Sequence, residues 1–378
     1  MTTSDPGDTA AGTLRELVAE GVSPWLDGID RDLITSGRFA RLVKEIGILG
    51  ATSNPARLVT AVAGDHSAYR GQLAELADRR VDADAAIREL TLLDARLACD
   101  GLLGVFARTG GHDGHVSIDL DPRLVDDAAA TVAAAAEVCA ELDRPNVMVK
   151  VPATEEGLLA VRDCLAEGIS VHVTEVFSLR RYRQVVRAYF EGLAGAKAAG
   201  LDLARIASVV SLSVGTFDAE VDARLAEHGG AHALALRGSG ALGNARLMYH
   251  EYDQRLGSGQ WRCLHADGAR PQRLLWTSTA ARSGTSYVDR MVAWGTVTAM
   301  SLSTIDWTTR NGDLRGDTLT GECAAAQSVM DELGGLGITY DSIVRRLEQD
   351  SGKRLVRSWQ ELRLATRKGL GIAARVDP

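Results

Sequence analysis

One lysine stands where a lysine is expensive. Lys150 interrupts the apolar run Val147-Met148-Val149-Lys150-Val151-Pro152. A buried ammonium is costly unless it is paired or deprotonated. A free amine attacks carbonyl carbons and forms a Schiff base, so this position suggests covalent chemistry on a ketone or an aldehyde. The plainer reading is a lysine at a strand tip that reaches solvent. That reading loses ground because other short apolar runs also carry polar residues near their ends. These are Asp27, Asn54, Asp119, His172 with Thr174, Ser211 with Ser213, and Ser278. Schiff-base formation must lose water, and carbon–carbon cleavage beside an alcohol needs a base. Asp27 and Asp119 supply two carboxylates for those proton transfers, and Thr174 supplies a hydroxyl to hold a water.

The elements that must position these groups alternate between short β-like runs and longer helical ones. The strands read as Pro24–Ile29, Leu49–Asn54, His115–Leu120, Asn146–Pro152, Ser170–Phe177, Ala207–Val214 and Arg273–Thr279. An eighth falls somewhere within Met291–Met300. Helices read as 31–46, 66–108 with a break near Val81–Asp82, 123–142, 155–166, 179–199, 218–227, 320–333 and 340–370. Such alternation argues for parallel βαβ units. A doubly wound sheet that binds a dinucleotide shows GxGxxG after its first strand; none is present, which also weighs against hydride transfer. No linker splits the chain. The expected architecture is one (β/α)8 TIM barrel over residues 13–378, with extra helices, behind a disordered N-terminal segment 1–12. Catalytic groups in such a barrel sit at the C-terminal ends of the strands, where the polar residues named above fall.

Several polar residues have simpler roles available. Asp27 competes with Asp30 to cap the helix that follows, and Asp121 before Pro122 reads as a cap. Strand alternation turns His172 inward with Thr174 and sends Glu175 outward. His112, Asp113 and His115 lie in a glycine-rich stretch and read as a solvated turn, so no metal site is expected. The basic stretch 345–368 is interspersed with Glu348, Asp350 and Glu361 and reads as a long solvated helix. Its functional version is a helix packed over the barrel mouth, where it would exclude water.

Composition narrows the class. In 378 residues, 42 are Lys or Arg and 50 are Asp or Glu, for a net charge of −8. That balance argues against nucleic-acid binding by bulk charge. The five cysteines, Cys99, Cys139, Cys164, Cys263 and Cys323, form no CxxC pair and read as reduced thiols. The start MTTSDPGDTAAGTL lacks the basic and apolar regions of a signal peptide, and no 18-residue apolar run occurs. A cytoplasmic protein without a membrane segment is expected. Oligomeric state is not legible.

The segments SPWLDGIDRDLITSGRFARLVKEIGILGATSNPA (23–56), DGHVSIDLDPRL (113–124), PNVMVKVPATEEGLLAV (145–161) and EGISVHVTEVFSLRRYRQV (167–185) resemble the transaldolases. So do 217–225, 236–249, 269–279 and 314–320. The likeness runs from about residue 13 to 370 and is greatest to the longer bacterial members. It implies a (β/α)8 barrel, no cofactor, and small sugar or sugar phosphate substrates. It places Lys150 on the Schiff-base lysine and Asp27 on the acid/base at the cleaved bond. Asn54 falls on the asparagine that binds the dihydroxyacetone unit, Thr174 on the threonine that holds the catalytic water, and Ser211 on a serine contacting the three-carbon unit.

The departures are specific. Asp119 stands where the family has glutamate, and His172 where it has asparagine. Thr216 takes the place of a phosphate-gripping arginine, and Ser213 that of an aromatic residue. The loop after Ser278 is short, with Arg282 its one local candidate to hold a phosphate. The segment TVTAMSLSTI (296–305) lacks the family's Asn and Pro. A hydroxyl cannot replace the charge of a guanidinium. The expectation is a divergent enzyme that moves a three-carbon ketol unit between non-standard substrates. The alternative is a weakened homologue that binds a sugar or a partner.

Overall fold

The computed structural model describes residues 6–64, 67–280 and 286–376. Eight parallel strands close into a barrel in chain order. They are β1 (Ser23–Asp27), β2 (Gly50–Thr52), β3 (Val116–Asp119), β4 (Val147–Pro152), β5 (Val171–Thr174), β6 (Ser208–Ser213), β7 (Arg273–Thr277) and β8 (Val297–Met300). The expected (β/α)8 barrel is what the chain forms. Each expected strand is present; β1 starts one residue earlier than expected, and most of the others are shorter at one or both ends.

Side chains on a strand alternate between two faces, and here one face fills the barrel. Trp25, Met148, Val209, Leu275, Val297 and Ala299 form an apolar plug. Gly50 makes room for it, because a Cβ there would lie 2.3 Å from the Trp25 ring. The opposite strand faces pack under the surrounding helices in one large core. The next inward positions beyond the plug are Asp27 on β1, Asp119 on β3, Lys150 on β4 and Ser211 on β6, so the polar residues form the layer above it. Asp119 pairs in register with Lys150, and Lys150 with His172. Three neighbouring strands therefore present their polar groups at one level.

The helices depart from expectation where backbone geometry intervenes. The first begins at Pro6, so residues 6–12, expected to be disordered, are helical. The stretch 31–46 is broken at Gly37, whose φ is +78°, and ends in a wider π-type turn over Leu42–Ile46. The helical run expected at 66–108 already starts at Pro55–Ala63 and continues as Ser67–Asp78 and Ala83–Arg108, with Asp82 capping the last. Residues 228–272 hold three helices that periodicity did not single out. The solvated-turn reading of Asp113 and His115 is overturned. Both are buried; Asp113 holds Arg273, and His115 bonds the Gly111 carbonyl through Nε2. His112 is exposed.

The C-terminal helix, Tyr340–Val376, is long but not simply solvated. Leu362 and Ala365 pack with Leu58, Val62, Tyr69, Leu73, Ile87 and Leu90 in a second apolar cluster. That contact anchors the helix against Pro55–Ala63 and Ser67–Asp78 and lays its middle over the barrel mouth. Among the described residues, no helix is long and apolar enough to cross a membrane.

Candidate active site

A cavity of about 350 Å³ opens at the C-terminal ends of the strands. Its wall includes Asp27, Asn54, Asp119, Lys150, His172, Thr174, Ser211 and Ser278. The structure thus brings together every expected site residue it describes; Arg282 lies outside the described residues.

Lys150 is mostly buried and holds two acceptors. Nζ donates to the Ser53 carbonyl at 2.6 Å and to Asp119 Oδ2 at 3.1 Å. Asp119 is itself set by Ser53, whose Oγ donates to Oδ2 at 2.6 Å while accepting from the Asp119 amide at 3.0 Å. The two groups are therefore held by β2 as well as by their own strands.

Asp27 and Asn54 form a second pair. Asn54 Nδ2 donates to Asp27 Oδ1 at 3.2 Å. The Asn54 Oδ1 accepts from the Ala56 and Arg57 amides and caps the helix starting at Pro55, which fixes which end of the amide points where. One Nδ2 hydrogen remains for a ligand. Burial pushes the Asp27 carboxyl above its usual range, while the Lys150 charge and the Asn54 hydrogen bond pull it back. Asp30, not Asp27, caps the helix that follows β1, so the carboxylate of Asp27 is free of that duty. Asp121 is the cap it was expected to be.

His172 is buried and neutral. Burial first, and the Lys150 charge second, lower its pKa well below the usual imidazole value. Its Nδ1 lies 2.8 Å from Ser117 Oγ, and among the described residues its buried Nε2 has no partner. On the far wall, Ser213 Oγ lies 2.7 Å from Thr216 Oγ1 and 2.9 Å from Ser278 Oγ. Gly215 permits this approach, since a Cβ there would meet the Ser278 carbonyl at 2.4 Å. These three hydroxyls form a neutral, polyol-like surface.

Glu175 departs from expectation, and the C-terminal helix takes the second of its two readings, packed over the barrel mouth. Glu175 lines the cavity instead of facing outward. β5 ends at Thr174 and Glu175 adopts φ +60°, so strand alternation no longer governs it. The C-terminal helix contributes Arg354, Leu355, Ser358 and Trp359 to the wall. Their spacing follows one helix face, but nothing local in the sequence says that this face meets β5.

Fold and mouth together define a (β/α)8 barrel enzyme whose polar residues converge at the C-terminal ends of its strands. The chain belongs to the transaldolase/fructose-6-phosphate aldolase family, whose model matches residues 24–366. Transaldolase 1 of Streptomyces coelicolor is 44% identical over 374 residues, spanning 98% of each chain. The transaldolase of Acidothermus cellulolyticus is 45% identical over 366 residues, 96% of this chain and 98% of that one. The transaldolase of Mycolicibacterium paratuberculosis is 45% identical over 367 residues, with the same shares.

Proposed function

We propose that this chain transfers a three-carbon dihydroxyacetone unit from a ketose donor to an aldehyde acceptor, through an imine on Lys150. The observation that carries the proposal is the placement of Lys150. Its amine faces the mouth cavity, held by Asp119 and Ser53, with the Asp27–Asn54 pair on the same wall.

The amine adds to the donor C2 carbonyl, and the carbinolamine loses water to give the iminium. Asp119, beside Nζ, moves the protons of that step, and Thr174 holds the water. Asp27 then takes the proton of the C4 hydroxyl. The C3–C4 bond breaks, its electron pair flows into the iminium to give an enamine, and the aldehyde leaves. The enamine attacks the acceptor aldehyde, and Asp27 returns its proton to the new hydroxyl. Hydrolysis of the product iminium frees Lys150. A carboxyl raised above its usual range by burial suits this role, because it holds the transferred proton more firmly than an ordinary carboxylate does. Asn54 uses its remaining Nδ2 hydrogen to orient a hydroxyl of the three-carbon unit.

The substrate pair differs from the standard one where it meets the ends of β6 and β7. The support is the Ser213–Thr216–Ser278 hydroxyl cluster, which stands where the family resemblance puts an aromatic ring and an arginine. The free thiols suit a reducing cytoplasmic setting. The test is to incubate the enzyme with a ketose donor and an excess of an unrelated aldehyde and to follow products by mass. A product three carbons longer than the acceptor is expected. Release of dihydroxyacetone alone would make the chain a simple aldolase. No turnover with any pair would favour the weakened, sugar-binding reading that His172 and Thr216 motivate.

A further inference from the structure

We infer that the C-terminal helix supplies the anion-binding group of this site, and that Arg354 holds a phosphate ester at the far end of the substrate. The inference rests on the imine reading above. Among the described residues lining the cavity, Arg354 and Lys150 are the only cations, and Lys150 is committed to Asp119. Arg354 is not committed. Its one ionic partner among the described residues is Glu175, at 3.5 Å, a long contact between side chains 42% and 25% exposed. Asp350, one helical turn earlier, is taken by Arg346 at 2.9 Å.

The surroundings suit an anion. Ser358, four residues on, shares the helix face of Arg354 and lines the same wall. The helix cannot drift, since Leu362 and Ala365 are locked in the second apolar cluster. A guanidinium can grip a phosphate through two parallel N–H donors. The contact with Glu175 is weak enough to exchange, because a long, partly exposed ion pair contributes little. Glu175 thus neutralises Arg354 until a substrate anion displaces it. Thr216, just after β6, brings no charge where the family resemblance puts an arginine, so among the described residues lining the cavity the uncommitted cation lies on the β5 side.

The test separates this inference from the imine chemistry. Binding of fructose 6-phosphate, fructose and fructuronate is measured by calorimetry in Lys150→Ala, which forms no imine. Trapping rates with the same sugars are measured with Lys150 present. Arg354→Ala is expected to cut the preference for fructose 6-phosphate over fructose by about 10- to 100-fold. Arg354→Lys should keep part of that preference, since it keeps the charge and loses the fork. Glu175→Gln should raise it, because the competing carboxylate is gone. An unchanged preference in Arg354→Ala, or a fall in Glu175→Gln, would overturn the inference. Fructuronate bound as tightly as fructose 6-phosphate would overturn the assignment to phosphate. Arg354-dependent binding without any trapped adduct would count against the imine and for the anion site.

Discussion

The barrel carries a buried cation at each end, and the two are treated in opposite ways. At the N-terminal end Arg273 opens β7, 5% exposed beside Asp113 at 7%. It donates to Asp113 Oδ1, Ser23 Oγ and the carbonyls of His112, Gly295 and Thr296. Each of its N–H groups has an acceptor, and the cluster ties β1, β7 and the approaches to β3 and β8 together. At the other end Lys150 has two acceptors, Asp27 sits above its normal titration range, and the His172 Nε2 is unpartnered. A saturated buried charge holds a fold together, whereas an unsaturated one keeps capacity for a reacting group. Conversely, the plug of Trp25 and Leu275 between them keeps the two networks from sharing partners.

Substitutions at the two ends should therefore separate activity from stability. The largest effect is expected for Lys150→Ala. Turnover should fall by on the order of 10^6, as for loss of other covalent nucleophiles, with melting temperature held within a few degrees. Retained turnover in a folded variant would remove the mechanism.

Asp27→Asn comes next, with a loss of about 10²- to 10⁴-fold. It also carries a signed stability effect. Burial raises the Asp27 carboxyl in the native state, so the native chain binds this proton more tightly than the unfolded one. Wild-type stability is then lost as pH rises from the ordinary carboxylate range through the raised value. Asparagine cannot ionise, so the variant should gain on the wild type over that window and keep the gain above it. Melting curves of both proteins at pH 4 and pH 7.5 check this; a variant that gains nothing at the higher pH contradicts it.

At the other end, Arg273→Met should cost about 3–5 kcal/mol by leaving Asp113 buried without its partner. Kcat per folded molecule should change by less than about threefold. A large loss of kcat at full folding would mean that the two ends are coupled. The smallest effect is expected at Thr154, which caps the helix after β4 through the Gly157 amide. Thr154→Ala should cost about 1 kcal/mol in denaturant unfolding, with Lys150 unaffected in trapping.

The same contrast explains what the sequence made legible. Lys150 stands out because a charge in VMVKVP violates an apolar pattern, and Asp27, Asp119 and Ser211 do so at matching strand positions. Arg273 escapes notice because a charge that opens a strand violates nothing. For Asp113 and His115, glycine-rich composition suggests a solvated turn, whereas Asp113 is buried against Arg273, far away in sequence, and His115 against Phe106 and the Gly111 carbonyl. Alternation sends Glu175 outward, but alternation fails once the strand stops and φ turns positive. Arg354 and Trp359 lie on a helix whose polar pattern reads either as solvated or as packed over the mouth. Only the packing of Leu362 and Ala365 against helices near the N-terminus sets that face over the mouth, and no local pattern encodes a contact of that range.

The central claim is that Lys150 bonds covalently to the donor. Borohydride reduction in the presence of a ketose, followed by intact-mass and peptide mapping, tests it most directly. A stable adduct on the peptide containing Lys150, absent from Lys150→Ala, is the expected result. An adduct on another lysine, or none with any ketose that calorimetry shows to bind, would contradict it.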